Sequence, residues 1–247
     1  MIEFKNIRKQ FGPKIVLDDV SLTVDRSQIL FIVGTSGAGK SVLVKHLVGL
    51  LKPDGGQIFI DNEEITRLTE RQFYRIRKKC TYVFQHSTLF DSMSLLDNVA
   101  LTLRKHKNLS HQDAREAAMK KLELVQMESF ADRYPADIGD GLRKRVAIAR
   151  ALTMEPEFII FDEPTTGLDP LSAAHVDKLI RSLSDDVGVT SIVVSHDLRS
   201  IFTIADRIVM IYKGKIRLNG TPAEYRNSQD PIVQQFIRGL SEGPLEI

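Results

Sequence analysis

The stretch ILFIVGTSGAGKSVLVKHLVGLL, residues 29–51, decides the fold. Five apolar residues in a row, ILFIV, read as a strand buried on both faces. The segment after Lys40 carries apolar residues almost all round, which predicts a buried helix over residues 41–51. Between them GTSGAGKS satisfies G-x-x-x-x-G-K-[ST] in the strand-to-helix context that the pattern needs. Gly34, Thr35, Ser36, Gly37, Ala38, Gly39, Lys40 and Ser41 are therefore the candidate nucleotide-binding residues. Glycines let the backbone wrap a polyphosphate with consecutive N–H groups pointing inward, and the helix N-terminus adds positive potential. Lys40 is placed to reach the outer phosphates and Ser41 to hold Mg²⁺. The blander alternative, a glycine turn that merely caps a helix, explains neither Lys40 nor Ser41.

Working outward, FIIFDEP (residues 158–164) puts Asp162 at the end of a second apolar strand, where ligands of α/β sheets gather. Asp162 is suited to orient a magnesium-bound water, and Glu163 to polarise an attacking water as general base. Without the phosphate loop these two could equally be an acidic strand end with no chemistry. SIVVSHD (residues 191–197) brings His196 out on the same sheet edge, able to contact a γ-phosphate or a water. A histidine satisfied by neighbouring backbone is the alternative.

Apolar runs at residues 158–161, 191–194 and 207–212 alternate with helical patterns, including one at residues 175–184, so a mostly parallel sheet is expected. Shorter strands are expected at residues 2–4, 20–24 and 57–60. The middle third changes character. Ser110 and Asp113 resemble a capping box ahead of the apolar stripe Ala114, Ala118, Leu122 and Val125, and RKRVAIARALTM (residues 143–154) reads as another helix. Residues 86–152 are thus expected to form a helical lobe inserted in a nucleotide-binding core of residues 1–85 and 153–220. Residues 221–247 should add a C-terminal helix and arm.

Composition agrees with one α/β domain. The chain has 247 residues, 43% hydrophobic and 27% charged, with a formal net charge of +2. So near-neutral a balance argues against binding nucleic acid by phosphate neutralisation. One cysteine, Cys80, excludes an internal disulfide and a Cys-rich zinc site. The opening MIEFKNIRKQ has no apolar core, so no secretory leader is expected, and no apolar run approaches the roughly 20 residues that cross a bilayer. Any link to a membrane is expected through a partner.

Taken together, the phosphate loop, Asp162-Glu163, TTGLDP (residues 165–170) and His196, in this order and spacing, resemble an ABC-transporter ATPase subunit over nearly the whole chain. The resemblance implies the ABC ATPase fold: a P-loop core, an N-terminal antiparallel β subdomain and the inserted helical lobe. It also implies a head-to-tail dimer, most simply a homodimer, sandwiching two ATP molecules with Mg²⁺. Within it Gln85, in YVFQHS, matches a glutamine that ligates Mg²⁺ and water and connects to the lobe. Asp169 matches an aspartate acting across the dimer. Phe11 matches the aromatic that stacks on adenine, although an ordinary strand-flanking Phe is the alternative.

One motif departs from the family. Where members usually read LSGGQ or LSGGM, this chain reads IGDGL, residues 138–142. Gly139 replaces a serine whose hydroxyl would serve the γ-phosphate of the opposite subunit, and Asp140 replaces a glycine; Gly141 remains. One lost charge-assisted hydrogen bond is worth on the order of 1.5–3 kcal/mol, and a like charge near phosphate adds to the loss. Alternatively Asp140 turns away and caps the helix. Slow hydrolysis or weak closure on ATP is expected if it does not.

FQHSTLFDSMSLLDNVAL (residues 84–101), YPAD and the tail DPIVQQFIRGLSEGP are most similar to the ATPase of Mla-type phospholipid-trafficking systems, which are also linked to organic-solvent tolerance. That similarity implies a peripheral place on the cytoplasmic face of the inner membrane, an integral membrane permease and, through it, a lipid-binding substrate protein. Leu89, Phe90 and Met93 either line a groove for a short partner helix or pack inside the lobe. Residues 236–247 are either a clasp between subunits or a frayed tail. The competing readings are an amino-acid or methionine importer ATPase, a slow regulatory ATP clamp, and a DNA-repair or translation protein; the last lacks its usual coiled coil or tandem cassette. Nucleoside kinase and GTPase readings are weaker: no NKxD base-reading stretch is present, and Glu163 and His196 would then lack a role.

Overall fold

A computed structural model describes residues 1–245; residues 246 and 247, the end of the expected arm, lie outside the described residues. Strands are numbered along the chain. β1 (Ile2–Phe11), β2 (Lys14–Val24), β4 (Gly55–Ile60) and β5 (Glu63–Glu64) form an antiparallel sheet in the order β2-β1-β4-β5. β3 (Ile29–Val33), β6 (Cys80–Val83), β7 (Phe158–Asp162), β8 (Thr190–Val194), β9 (Arg207–Tyr212) and β10 (Lys215–Gly220) form the second, in the order β10-β9-β3-β8-β7-β6. Every pairing in it is parallel except that of β10 with β9.

The second sheet is covered on both faces, as its unbroken apolar strands require. Ile29, Phe31 and Val33 join one buried cluster while Leu30 and Ile32 join the other. β7 divides likewise, Ile159 and Phe161 against Phe158 and Ile160.

β1 and β2 run much further than expected. Their charged residues point to solvent, and register shifts after Phe4, Ile7 and Lys9 break the strict alternation that would reveal a strand. β6 was not expected either; its Cys80 is fully buried, and burial pushes the thiol up to about 12.

The helix after the glycine loop, α1 (Lys40–Lys45), is shorter than the expected 41–51. The chain tightens into three-residue bonds, Leu47 N–H to Val44 O at 3.1 Å and Gly49 N–H to His46 O at 3.2 Å. Gly49 then turns at φ +70°, where a Cβ would stand 2.7 Å from the Phe73 ring. That ring comes from α2 (Glu70–Lys79), whose N-terminus is closed by a Thr69–Gln72 capping box.

Between β6 and β7 stand α3 (Leu95–Lys107), α4 (His111–Leu124) and α5 (Asp140–Leu152), packed on one another. Ser110 caps α4 by accepting from the Asp113 N–H. Asn98, wholly buried, pins the preceding loop: its Nδ2 donates to Phe90 O at 3.0 Å and its Oδ1 accepts from the Phe90 N–H at 2.7 Å. Leu89 packs on the core, whereas the Phe90 ring is half exposed.

α6 (Pro170–Val187) is longer than the expected 175–184 because Asp169 caps it five residues earlier. α7 (Leu198–Ile204), α8 (Pro222–Asn227) and α9 (Pro231–Arg238) complete the order. No helix among the described residues is long and apolar enough to cross a membrane.

Candidate functional site

The C-terminal ends of β3, β7 and β8 converge on a cleft of about 590 Å³. It is lined by all eight residues of the glycine loop, Gly34 to Ser41, with Val42, Gln85, Glu163, His196, Phe236 and Leu245.

The loop's shape is set by its glycines. Gly34 sits at φ +144°, and a Cβ there would be 2.2 Å from the Ile211 carbonyl oxygen of β9. Gly39 sits at φ +102°, where a Cβ would meet Val16 O at 2.9 Å. Lys40 is 8% exposed, and its Nζ donates to Gly34 O at 2.9 Å and Thr35 O at 3.0 Å, so the ammonium closes the loop from inside. Burial draws the Lys40 ammonium below its ordinary range, opposed by the charges of Glu163 and Asp162.

Ser41 Oγ donates to Asp162 Oδ1 at 2.8 Å, and Tyr82 OH donates to the other oxygen at 2.6 Å. Burial and that carboxylate raise the Tyr82 phenol, so it stays a donor. Sequence reasoning missed Tyr82; a tyrosine in a strand beside the one ending in Asp162 was the only signal.

Glu163 has φ +51°, uncommon for a residue with a Cβ, while its N–H is held by Val194 O of β8 at 2.8 Å. This turn places its carboxylate 2.9 Å from His196 Nδ1, and Thr166 Oγ1 donates to the same oxygen at 2.9 Å. A carboxylate beside the glycine loop, oriented by an imidazole and a hydroxyl, can take a proton from a water in the cleft.

Other sequence candidates lie apart. Phe11 does not line the cleft; its ring is half exposed, with Lys9 Nζ 5.3 Å from its centroid. Gly139 is the N-cap of α5, so Asp140 is not a cap; it is the first helical residue and pairs with Arg143 at 3.3 Å. Asp140 lines a second cavity of about 400 Å³ with Arg143, Lys144, Gly167 and the stretch from Gln85 to Leu89. Gln85 faces both cavities, and its carbonyl accepts from the buried Lys144 ammonium. Asp169 is committed at one oxygen to the Leu171 and Ser172 N–H groups, both at 3.0 Å. Phe236 and Leu245, unforeseen as nucleotide-site residues, bring the C-terminal segment against its own chain's cleft. Only a tertiary contact reveals them.

The family described as ABC transporter matches residues 17–166. The intermembrane phospholipid transport system ATP-binding protein MlaF of Haemophilus influenzae is 38% identical, over 99% of this chain and 93% of that protein. The MlaF of Escherichia coli K12 is 36% identical over 99% and 91%. A probable ribonucleotide transport ATP-binding protein, mkl, of Mycobacterium leprae is 35% identical over 99% of this chain and 70% of its own. Among solved structures, a dimeric ATP-binding cassette in a post-hydrolysis state with ADP and Pi matches with a TM-score of 0.81 and 31% identity, covering 90% of this chain and 99% of that one. The cbiO1 protein of Clostridium perfringens, part of an ABC transporter complex, matches with a TM-score of 0.85 and 28% identity over 96% and 94%.

Proposed function

The chain belongs to the ABC transporter family, and on that premise we propose that this ATPase energises a permease that moves phospholipid between membranes. The likeness to the two MlaF proteins over almost the full length of both partners supports the lipid reading. The mkl relative is matched over the same 99% of this chain but over only 70% of its own length, and it supports a ribonucleotide cargo less well.

In this reading ATP lies with its phosphates on the amides of residues 34–41. The chain's own donors fit a magnesium ion, since Ser41 Oγ and Asp162 Oδ1 are hard oxygens 2.8 Å apart and Gln85 lines the same cleft. Ser41, Asp162 and Gln85 would hold the ion, which when bound would neutralise charge on the outer phosphates. Lys40 exchanges its two carbonyl partners for phosphate oxygens. Glu163 takes the proton of the attacking water. His196 orients that carboxylate and stabilises charge as it develops. Two copies meet head to tail, Gly139, Asp140, Gly141 and Asp169 of one facing the cleft of the other, at the cytoplasmic face of the inner membrane. The helical lobe carries the motion to the permease.

The contact between Glu163 and His196 at the mouth of the glycine-loop cleft carries the hydrolytic reading. Glu163→Gln is expected to keep Mg-ATP affinity within about threefold by calorimetry and to lower kcat by at least about a hundredfold, the scale of a removed general base. Turnover at the parental rate would take the base assignment away from Glu163. For cargo, the complex purified with its permease should carry phospholipid by mass spectrometry and transfer it between vesicles only with ATP; transfer of ribonucleotide instead overturns the lipid reading.

A further inference from the structure

Behind the hydrolytic pair lies a buried carboxylate that no step above uses. Asp177, in the middle of α6, is 4% exposed; its Oδ1 has no hydrogen-bond partner and its Oδ2 is 2.8 Å from Ser200 Oγ of α7. Ser200 is 2% exposed, and the same Oγ is 3.1 Å from Asp197 Oδ2. Asp197 directly follows His196 and caps α7, accepting at Oδ1 from the N–H groups of Arg199 at 2.9 Å and Ser200 at 3.4 Å. Thr165 Oγ1, between β7 and α6, donates to Asp197 Oδ2 at 3.3 Å.

Ser200 Oγ has a single proton to offer two carboxylates. Donated to Asp197, it leaves a lone pair facing Asp177 at 2.8 Å; donated to Asp177, it leaves one facing Asp197 at 3.1 Å. A second proton on one of the acids removes the conflict. Asp197 is already served as an anion by two amides and Thr165, whereas Asp177 has one partner and almost no access to water. Burial raises the Asp177 pKa most; the hydrogen bond from Ser200 opposes it, the Asp197 charge raises it further, and Arg199 opposes it least. Of the elements packed on α6, β8 has no ionisable side chain. The cations of α5 are engaged elsewhere: Arg143 with Asp140, Lys144 with Gln85 O, Arg145 with Val125 O and Arg150 with Thr88 O. On α6 itself His175 and Lys178 are exposed, and Arg181 is paired with Asp185 and Asp206.

We propose that Asp177 is a proton-holding positioning residue: as the neutral acid it donates to Ser200, Ser200 donates to Asp197, and the fixed cap of α7 keeps His196 against Glu163. This rests on the reading of Glu163 and His196 as the hydrolytic pair. The chain of donors also ties the segment after β7, through Thr165, to the start of α7, so α6 and the His196 turn move together.

Infrared spectroscopy of the whole protein at pH 7 tests the proton without any turnover. The carbonyl band of a protonated carboxylic acid is expected in the parent and absent from Asp177→Asn. A parent without the band, or a variant that keeps it, overturns the proposal, whatever Glu163→Gln shows. Kinetics test the positioning. Asp177→Asn, whose amide can donate as the acid does, should hold the parental kcat and lose its decline toward alkaline pH. Asp177→Leu, which keeps the branched shape but carries no hydrogen-bonding atom, should lower kcat about tenfold to a hundredfold with an unchanged KM for ATP, the cost of a small misplacement. An Asn variant whose pH profile overlays the parent's, or a folded Leu variant with parental kcat, overturns it too.

Discussion

Residues 34–41 and residues 139–141 are both glycine-rich turns that open a helix, yet the chain treats them oppositely. At the first, contacts within the chain leave no freedom: the Ile211 carbonyl crowds Gly34, Val16 crowds Gly39, and Lys40 spans two loop carbonyls. At the second, a Cβ on Gly139 would meet nothing within 4 Å, and only Gly141 is crowded, by Ser172 at 2.8 Å. The first turn is held in shape by its own chain, whereas the second is open at Gly139 and, in the proposed dimer, would face the partner copy.

The sharpest way to break this contrast is Gly34→Ala. A methyl group 2.2 Å from a carbonyl at φ +144° forces the loop apart, and a loss of roughly 3 kcal/mol or more is expected in chemical denaturation, with Mg-ATP binding lost in calorimetry. A variant as stable as the parent and still binding would show that the loop is not held as described. Next in size, Lys40→Ala removes a charged donor from both the loop and the phosphates. Its ATP affinity should fall about tenfold to a hundredfold, the scale of one or two charge-assisted hydrogen bonds. Equal titration curves for variant and parent would end the assignment of Lys40.

The smallest effect probes the other turn. Gly139→Ser combined with Asp140→Gly makes residues 138–142 read ISGGL and restores the serine and glycine of the usual family pattern; the serine position is sterically open and the glycine strain-free. The melting temperature should hardly move, while kcat for ATP should rise by up to about tenfold, as one regained hydrogen bond allows. Unchanged turnover would mean that Asp140, turned toward Arg143, was harmless from the start.

Local patterns exposed half of this molecule and tertiary contacts hid the rest. Residues 29–41, Asp162, Glu163 and His196 were legible because buried parallel strands are uniformly apolar and their polar ends stand out. The long β1–β2 hairpin was not, since bulges scramble its alternation. Helix α1 was overread because apolar residues continue past Lys45, while the turn at Gly49 answers to Phe73, which lies 24 positions away in a helix no local pattern links to it. Tyr82, Phe236 and Leu245 reached the site through sheet order and the return of the C-terminal segment, neither of which has a period to read.

Cys80 has a practical consequence. The chain's single thiol is sealed inside β6 and held far from its reactive anion. Maleimide reagents should therefore pass it by in the native state. A cysteine introduced at Asp140 or Leu240, both exposed, becomes the only labelled position, ready to carry a fluorophore or spin probe without first stripping the parent sequence.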